Sequence, residues 1–232
     1  MKIAVLAVQG AFIEHEKKLG ALGAECFELR QKKDLDTGFD GLVLPGGEST
    51  VQGKLLRELE MFDTLKEKIE SGLPVLATCA GLILLAEQLT NDDHVYFGTL
   101  PVLVRRNAYG RQLGSFHTVQ EFAGIGEVPM TFIRAPYIEE AKAGAQVLAE
   151  VEGHVVAVRS GNQFGMSFHP ELDADNRIHE LFLKTVQAWK THRYSGKTKK
   201  KTRTFTGKAL VRVSFIKGLT FILQWVQLYR AF

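Results

Sequence analysis

Cys79 stands between two apolar runs, Leu73-Pro74-Val75-Leu76-Ala77 before it and Leu82-Ile83-Leu84-Leu85-Ala86 after it, and the small pair Ala80-Gly81 opens the second. A buried strand that turns at once into a helix, with a thiol at the apex, suits a nucleophile. Small neighbours permit the strained turn, and the first amides of the helix point at an oxyanion forming beside the sulfur. Ninety residues later, Phe168-His169-Pro170-Glu171 closes the strand-like run 162–167. On an extended chain, residues 169 and 171 share a side, so the carboxylate can hold an imidazole whose ring faces the thiol. Cys79, His169 and Glu171 therefore supply the nucleophile, the base and the base-orienting acid of an activated-thiol triad.

A third segment, Asp40-Gly41-Leu42-Val43-Leu44-Pro45-Gly46-Gly47-Glu48-Ser49-Thr50, is a short apolar strand running into a proline-diglycine turn. Paired glycines let a backbone N–H approach a reacting carbonyl with no Cβ in the way. The amides of Gly47 and Ala80 are thus the candidate oxyanion hole. The same spacing also fits an ordinary strand-to-helix turn capped by Ser49 or Thr50.

Positioning these groups requires a sheet whose strands end at one edge. Apolar runs predict strands at 2–8, 25–30, 41–44 and 74–78, and helical periodicity fills 11–22, 51–71 and 80–89. That alternation predicts a three-layer α/β fold, a mostly parallel sheet flanked by helices. From about 95 to 168 the pattern is strand-rich. A last helix is expected from Asn176 to about His192, striped with Ile178, Leu181, Phe182, Thr185, Val186 and Trp189. A chain of 232 residues, 45% hydrophobic, supports one sizeable core.

Two cysteines, Cys26 and Cys79, exclude a disulfide framework and suit a reducing, cytoplasmic setting. The opening residues, 1–10, read as a first strand entering a turn at Gln9-Gly10 rather than as a signal peptide. Charge is uneven. Eleven of the 29 basic residues and no acidic ones lie from Lys190 onward, which leaves 18 against 26 acidic residues before it, a net −8. Residues 1–192 are therefore expected to form the working domain, and 193–232 a poorly ordered basic extension with no assigned role. Its uncharged run, 218–229, is too short to span a bilayer.

Five blocks carry a resemblance: Gly46-Gly47-Glu48-Ser49-Thr50, Thr78-Cys79-Ala80-Gly81-Leu82, the stretch from Arg105-Arg106-Asn107 to Gly110-Arg111-Gln112, Phe132-Ile133-Arg134-Ala135-Pro136, and Ser167-Phe168-His169-Pro170-Glu171-Leu172. Together they resemble the PdxT family, the glutaminase subunits of two-component pyridoxal 5′-phosphate synthases, which are class I, triad-type glutamine amidotransferases. The resemblance covers about residues 1–192 and implies a flavodoxin-like three-layer fold with the cysteine at the carboxyl edge of the sheet. It assigns Cys79, His169 and Glu171 to nucleophile, base and orienting acid, and Gly47, Glu48, Ser49, Arg106, Ile133 and Arg134 to glutamine. It further implies a PdxS-type synthase partner, a (β/α)8 barrel in a large hetero-oligomer, which receives the ammonia and joins it to a pentose phosphate and a triose phosphate. No cofactor, metal, nucleic acid or membrane is expected. A glutaminase serving another synthase, or a non-enzymatic relative of the α/β cysteine hydrolases, remains open on the residues alone.

Overall fold

The computed structural model describes residues 1–90, 92–106 and 115–200, with side chains described as far as Arg193. The expected extension beyond Lys200 and the block from Asn107 to Gln112 lie outside the described residues.

The first half alternates as its periodicity requires: β1 (Lys2–Leu6), α1 (Phe12–Ala21), β2 (Glu25–Leu29), β3 (Gly41–Leu44), α2 (Ser49–Glu58), α3 (Phe62–Glu70), β4 (Val75–Thr78) and α4 (Ala80–Leu85). The second half is mainly strands: β5 (Ala86–Leu89), β6 (Leu100–Arg105), β7 (Ser115–Phe122), β8 (Gly126–Ile133), β9 (Tyr137–Ala141), β10 (Gln146–Val151), β11 (His154–Ser160) and β12 (Gln163–Met166), closed by α5 (Arg177–Lys200).

Three boundaries differ from the sequence expectation. The helical stretch 51–71 is two helices, broken where Glu60 takes a left-handed φ of 53°. Expected helix 80–89 ends at Leu85, and 86–89 becomes a strand paired with β6. A run of six apolar residues followed by Ala86-Glu87-Gln88-Leu89 is too short to carry a period that separates the two states, and pairing decides. The last helix continues to Lys200, past the expected end near residue 192.

The large sheet runs β2-β1-β3-β4-β12-β11-β9-β6-β5, with β10 on β11. Its first five strands are parallel, in the doubly wound order that opens a crevice at the carboxyl ends of the strands. Beyond β12 the β11, β9 and β6 pairings are antiparallel. Strand alternation divides the core between the faces. Ile3, Val5, Val43 and Leu76 pack with Leu19 of α1 and Ile178, Phe182 and Val186 of α5. Ala4, Leu6, Leu42 and Leu44 pack with Leu56, Leu65, Ile69 and Leu82 of the opposite helices. The separate β7–β8 ribbon adds Phe122, Val128, Met130 and Phe132 to the α1–α5 side. Among the described residues no helix is long and apolar enough to cross a membrane.

Candidate active site

β4 delivers Cys79 to the carboxyl edge of the sheet, and the chain reverses there into α4. Cys79 holds φ 47° and ψ −99°, a conformation that costs a non-glycine residue of the order of 1–3 kcal/mol and persists only where its surroundings impose it. Its amide donates to the Met166 carbonyl at 2.8 Å, which pins the turn to β12. Gly81 lets α4 press against β3: a Cβ there would lie 2.0 Å from the Leu44 carbonyl oxygen, a backbone atom that cannot swing aside. Gly81→Ala is accordingly expected to destabilise the fold by about 1–3 kcal/mol. A denaturant midpoint equal to the parent's would show that α4 can shift to make room.

His169 and Glu171 lie beyond the end of β12 at Met166, in a turn closed by the Leu172 amide on the His169 carbonyl at 3.2 Å. Their contact therefore comes from the turn rather than from strand alternation. The His169 amide donates to the Thr131 carbonyl of β8 at 2.8 Å, and its Nδ1–H donates to Glu171 Oε1 at 2.7 Å. The ring also interacts with the Cys79 sulfur. Burial alone would lower the His169 pKa, but its interactions with Cys79 and Glu171 overcome it and push it up to about 10. Burial likewise works against ionised Glu171, yet the neighbouring His15 and His169 hold its carboxyl below the usual range. Gly46 packs flat on the imidazole: a Cβ there would sit 2.2 Å from Cε1 of His169.

A cavity of about 420 Å³ opens over the thiol, and every predicted site residue except Glu171 lines it: Cys79, His169, Gly47, Ala80, Glu48, Ser49, Arg106, Ile133 and Arg134. Glu171 lies behind His169, 4% exposed. The Gly46 carbonyl accepts from the Ala11 amide at 3.0 Å, which turns the trans Gly46–Gly47 peptide so that its N–H points away from the β1 loop. Gln9 and Gly10 join the cavity wall, and Gln9 Oε1 accepts from the Glu48 amide at 2.8 Å.

The cap of α2 is Glu48, not Ser49 or Thr50: its carboxylate accepts from the amides of Thr50 (3.1 Å) and Val51 (2.8 Å). Burial opposes ionisation of Glu48, but these backbone bonds and the nearby Arg106 keep its pKa low. The two arginines differ in a way the sequence does not reveal. Arg106 is already committed, donating to Asp92 Oδ2 at 2.6 Å, Glu48 Oε1 at 3.2 Å and Thr50 Oγ1 at 3.0 Å. Arg134 is exposed and takes a left-handed φ of 43° at the end of β8. No ion pair or hydrogen bond with the other described residues engages its guanidinium.

Four contributors escape the motif reading. Asp92 anchors Arg106. Gln52, fully buried, donates from Nε2 to the carbonyls of Gln9 and Pro45. His15 and His179, also fully buried, stand behind the triad. For the histidines the usable signal is phase, since His15 lies one turn before buried Leu19 and His179 one turn before buried Phe182.

The chain is similar to known proteins over most of its length. The sequence pattern described as the SNO glutamine amidotransferase family matches residues 5–188. The pyridoxal 5′-phosphate synthase subunit PdxT of Desulfitobacterium hafniense (strain Y51) is 64% identical over 191 residues, covering 82% of this chain and 96% of that protein. The subunit of the same name from Bifidobacterium longum is 52% identical over 185 residues, covering 77% and 97%. A crystal structure described as a glutamine amidotransferase superposes with a TM-score of 0.76 at 41% identity, over 80% of this chain and 98% of that one. With the matched span enclosing the elbow, the diglycine turn and the His169–Glu171 turn alike, the chain belongs to the SNO glutamine amidotransferase family.

Proposed function

We propose that Cys79, His169 and Glu171 hydrolyse L-glutamine to L-glutamate and ammonia in the cavity they line, and that the ammonia passes to a synthase partner. Family membership makes the chain a glutaminase. Its kinship at 64% and 52% identity with PdxT proteins makes it the glutaminase subunit of a pyridoxal 5′-phosphate synthase. The observation that supports the mechanism is His169, hydrogen-bonded to Glu171 on one side and sharing with Cys79 a cavity walled by Gly47 and Ala80 on the other.

In the proposed reaction the glutamine carboxamide sits over Cys79. His169 holds the proton taken from the thiol, and Glu171 stabilises the resulting imidazolium. Sulfur attacks the amide carbon, and the Gly47 and Ala80 amides receive the oxyanion. His169 then protonates the departing ammonia, because an amide nitrogen leaves poorly as an anion. Water, deprotonated by the same imidazole, hydrolyses the thioester and frees glutamate. The charged end of glutamine falls to Arg134 and Arg106, with Glu48, Ser49 and Ile133 shaping the wall.

The partner is proposed to be a PdxS-type (β/α)8 barrel in a large hetero-oligomer, in the cytoplasm. The working unit is residues 1–192, with the basic segment 193–232 outside the reaction. The decisive test is glutamate release with and without the synthase, together with incorporation of amide nitrogen from labelled glutamine into pyridoxal 5′-phosphate. Glutamate release that never couples to that product would remove the partner from the proposal.

Arg134→Ala separates the two arginines. Losing a charge-assisted contact of about 1.5–3 kcal/mol raises the glutamine KM roughly ten- to more than a hundredfold, while Cys79 still reacts with iodoacetamide. Arg106→Ala acts differently, by releasing Glu48 and Asp92 and loosening the α2 cap. Cys26 does not confuse the alkylation, since burial and the nearby Glu16 push its thiol up to about 11. Unchanged glutamine kinetics in Arg134→Ala would exclude that side chain from the site.

A further inference from the structure

Behind the triad lies a buried line of side chains that the reaction scheme leaves unused. His15 of α1 and His179 of α5 are both fully buried, and their rings meet with Nδ1 of His15 3.1 Å from Nε2 of His179. The other nitrogen of His15, Nε2, lies 3.2 Å from Thr78 Oγ1 and 3.3 Å from Glu171 Oε2. That carboxylate oxygen is the one His169 does not use, and among the described residues it has no hydrogen bond of its own. Thr78, one residue before the nucleophile, accepts the Gly46 amide on the same Oγ1 at 3.0 Å.

The tautomers follow from what each arrangement would leave unpaired. If Thr78 donated to His15 Nε2, the His15 Nδ1–H would donate to His179. His179 would then carry its own proton on Nδ1, a buried atom with no partner. Glu171 Oε2 would also face a lone pair. In the opposite arrangement His179 Nε2–H donates to His15 Nδ1, and the single His15 Nε2–H faces Thr78 Oγ1 and Glu171 Oε2 together. A bare acceptor is then left on His179, and among the described residues the Thr78 O–H has no acceptor. Each arrangement leaves one buried donor unmatched, but only the second sets an N–H rather than a lone pair before the buried Glu171 carboxylate, and a buried charge facing no donor costs more than a neutral group left unpaired, so the second arrangement holds. It requires both rings to be neutral. Burial ensures this, lowering the pKa of His15 and bringing that of His179 down to about 2.

We infer that His15 is a positioning residue for glutamine hydrolysis: its Nε2–H, fixed in tautomer by His179, steadies the free oxygen of Glu171 and thereby aims His169 at Cys79. The inference rests on the proposed role of the triad. It brings α5, α1 and the turn after β12 into one line of close polar contacts running to His169. His15 touches no substrate and acts only through Glu171. The carboxylate with one oxygen unheld can rotate about its side chain, and an imidazole displaced by a fraction of an ångström no longer meets the sulfur in line.

The test compares His15→Leu, His15→Asn and His15→Gln, each assayed for glutamate release in complex with the synthase, with thermal melts recorded in parallel. The amide nitrogen of glutamine reaches the position of a histidine Nε2, whereas that of asparagine reaches only Nδ1. His15→Leu and His15→Asn are expected to lower kcat roughly ten- to a hundredfold with glutamine KM within about twofold. His15→Gln should recover most of the loss. A merely structural role would track melting temperature and spare that ordering. Should His15→Leu fail to fold, the comparison of His15→Gln with His15→Asn decides alone. Equal kcat in those two, or a parental kcat in His15→Leu, overturns the inference. Cys79→Ala assayed alongside keeps the two questions apart: if it retains activity the triad reading falls, and if it is inactive while the His15 variants are unaffected, only the positioning role falls.

Discussion

Cys79→Ala is expected to abolish glutamate release, by a factor of the order of 10⁴ or more, while leaving the fold and synthase binding intact. The side chain contributes one sulfur to a cavity wall, and the backbone strain at φ 47° is the same for alanine, so little packing is lost. The chemistry has no substitute. Cys26 lies on β2 with its thiol pushed up to about 11, which leaves it protonated and inert at neutral pH. Members of a catalytic unit act together, so loss of the nucleophile removes the whole covalent route rather than a share of it. Quantifying glutamate by a coupled dehydrogenase assay checks the rate, and co-elution with the synthase checks docking. Turnover within tenfold of the parent would mean that another group attacks the amide.

His169→Asn should be nearly as damaging, because the same step then lacks both the acceptor of the thiol proton and the donor to the leaving ammonia. Glu171→Gln falls less far, since an amide oxygen can still accept the Nδ1–H of His169. The His169 substitution also has a pH signature that the Cys79 rate assay lacks. The folded-state pKa of His169, about 10, is raised above the unfolded value of about 6.5. A group raised in the folded state contributes stability that is fully present below the unfolded value and is lost as pH rises through the folded one. The melting-temperature advantage of the parent over His169→Asn should therefore be greatest near pH 6 and shrink toward pH 10. A difference that grew with pH would mean that the imidazole is held neutral in the fold, and the thiolate–imidazolium pair would have to be abandoned.

Motif residues were legible where the constraint is local. Cys79 between a strand-length and a helix-length apolar run needs small residues after it because α4 must clear the Leu44 carbonyl, and the sequence carries Ala80-Gly81 at that place. Gly46 is legible for a similar reason, since the ring of His169 occupies the space of its missing side chain. The alternation of the first half sufficed for the parallel strands and the carboxyl edge where Gly47, Cys79 and His169 gather.

Tertiary structure alone decided the groups joined across long separations. His15 and His179 are 164 residues apart and lie on helices whose exposed faces are charged, so their meeting under Glu171 depends on α1 and α5 packing on the same face of the sheet. The division of labour between Arg106 and Arg134 was equally hidden, because each is an arginine in a resembled block and only Asp92 and Glu48 in space distinguish the anchored cation from the available one. Even the His169–Glu171 contact arises from a turn past β12 rather than from the strand alternation that suggested it. Steric demands between chain neighbours are written in the residue types themselves, whereas hydrogen bonds between distant side chains are set by strand order and helix placement, which local residue patterns do not encode.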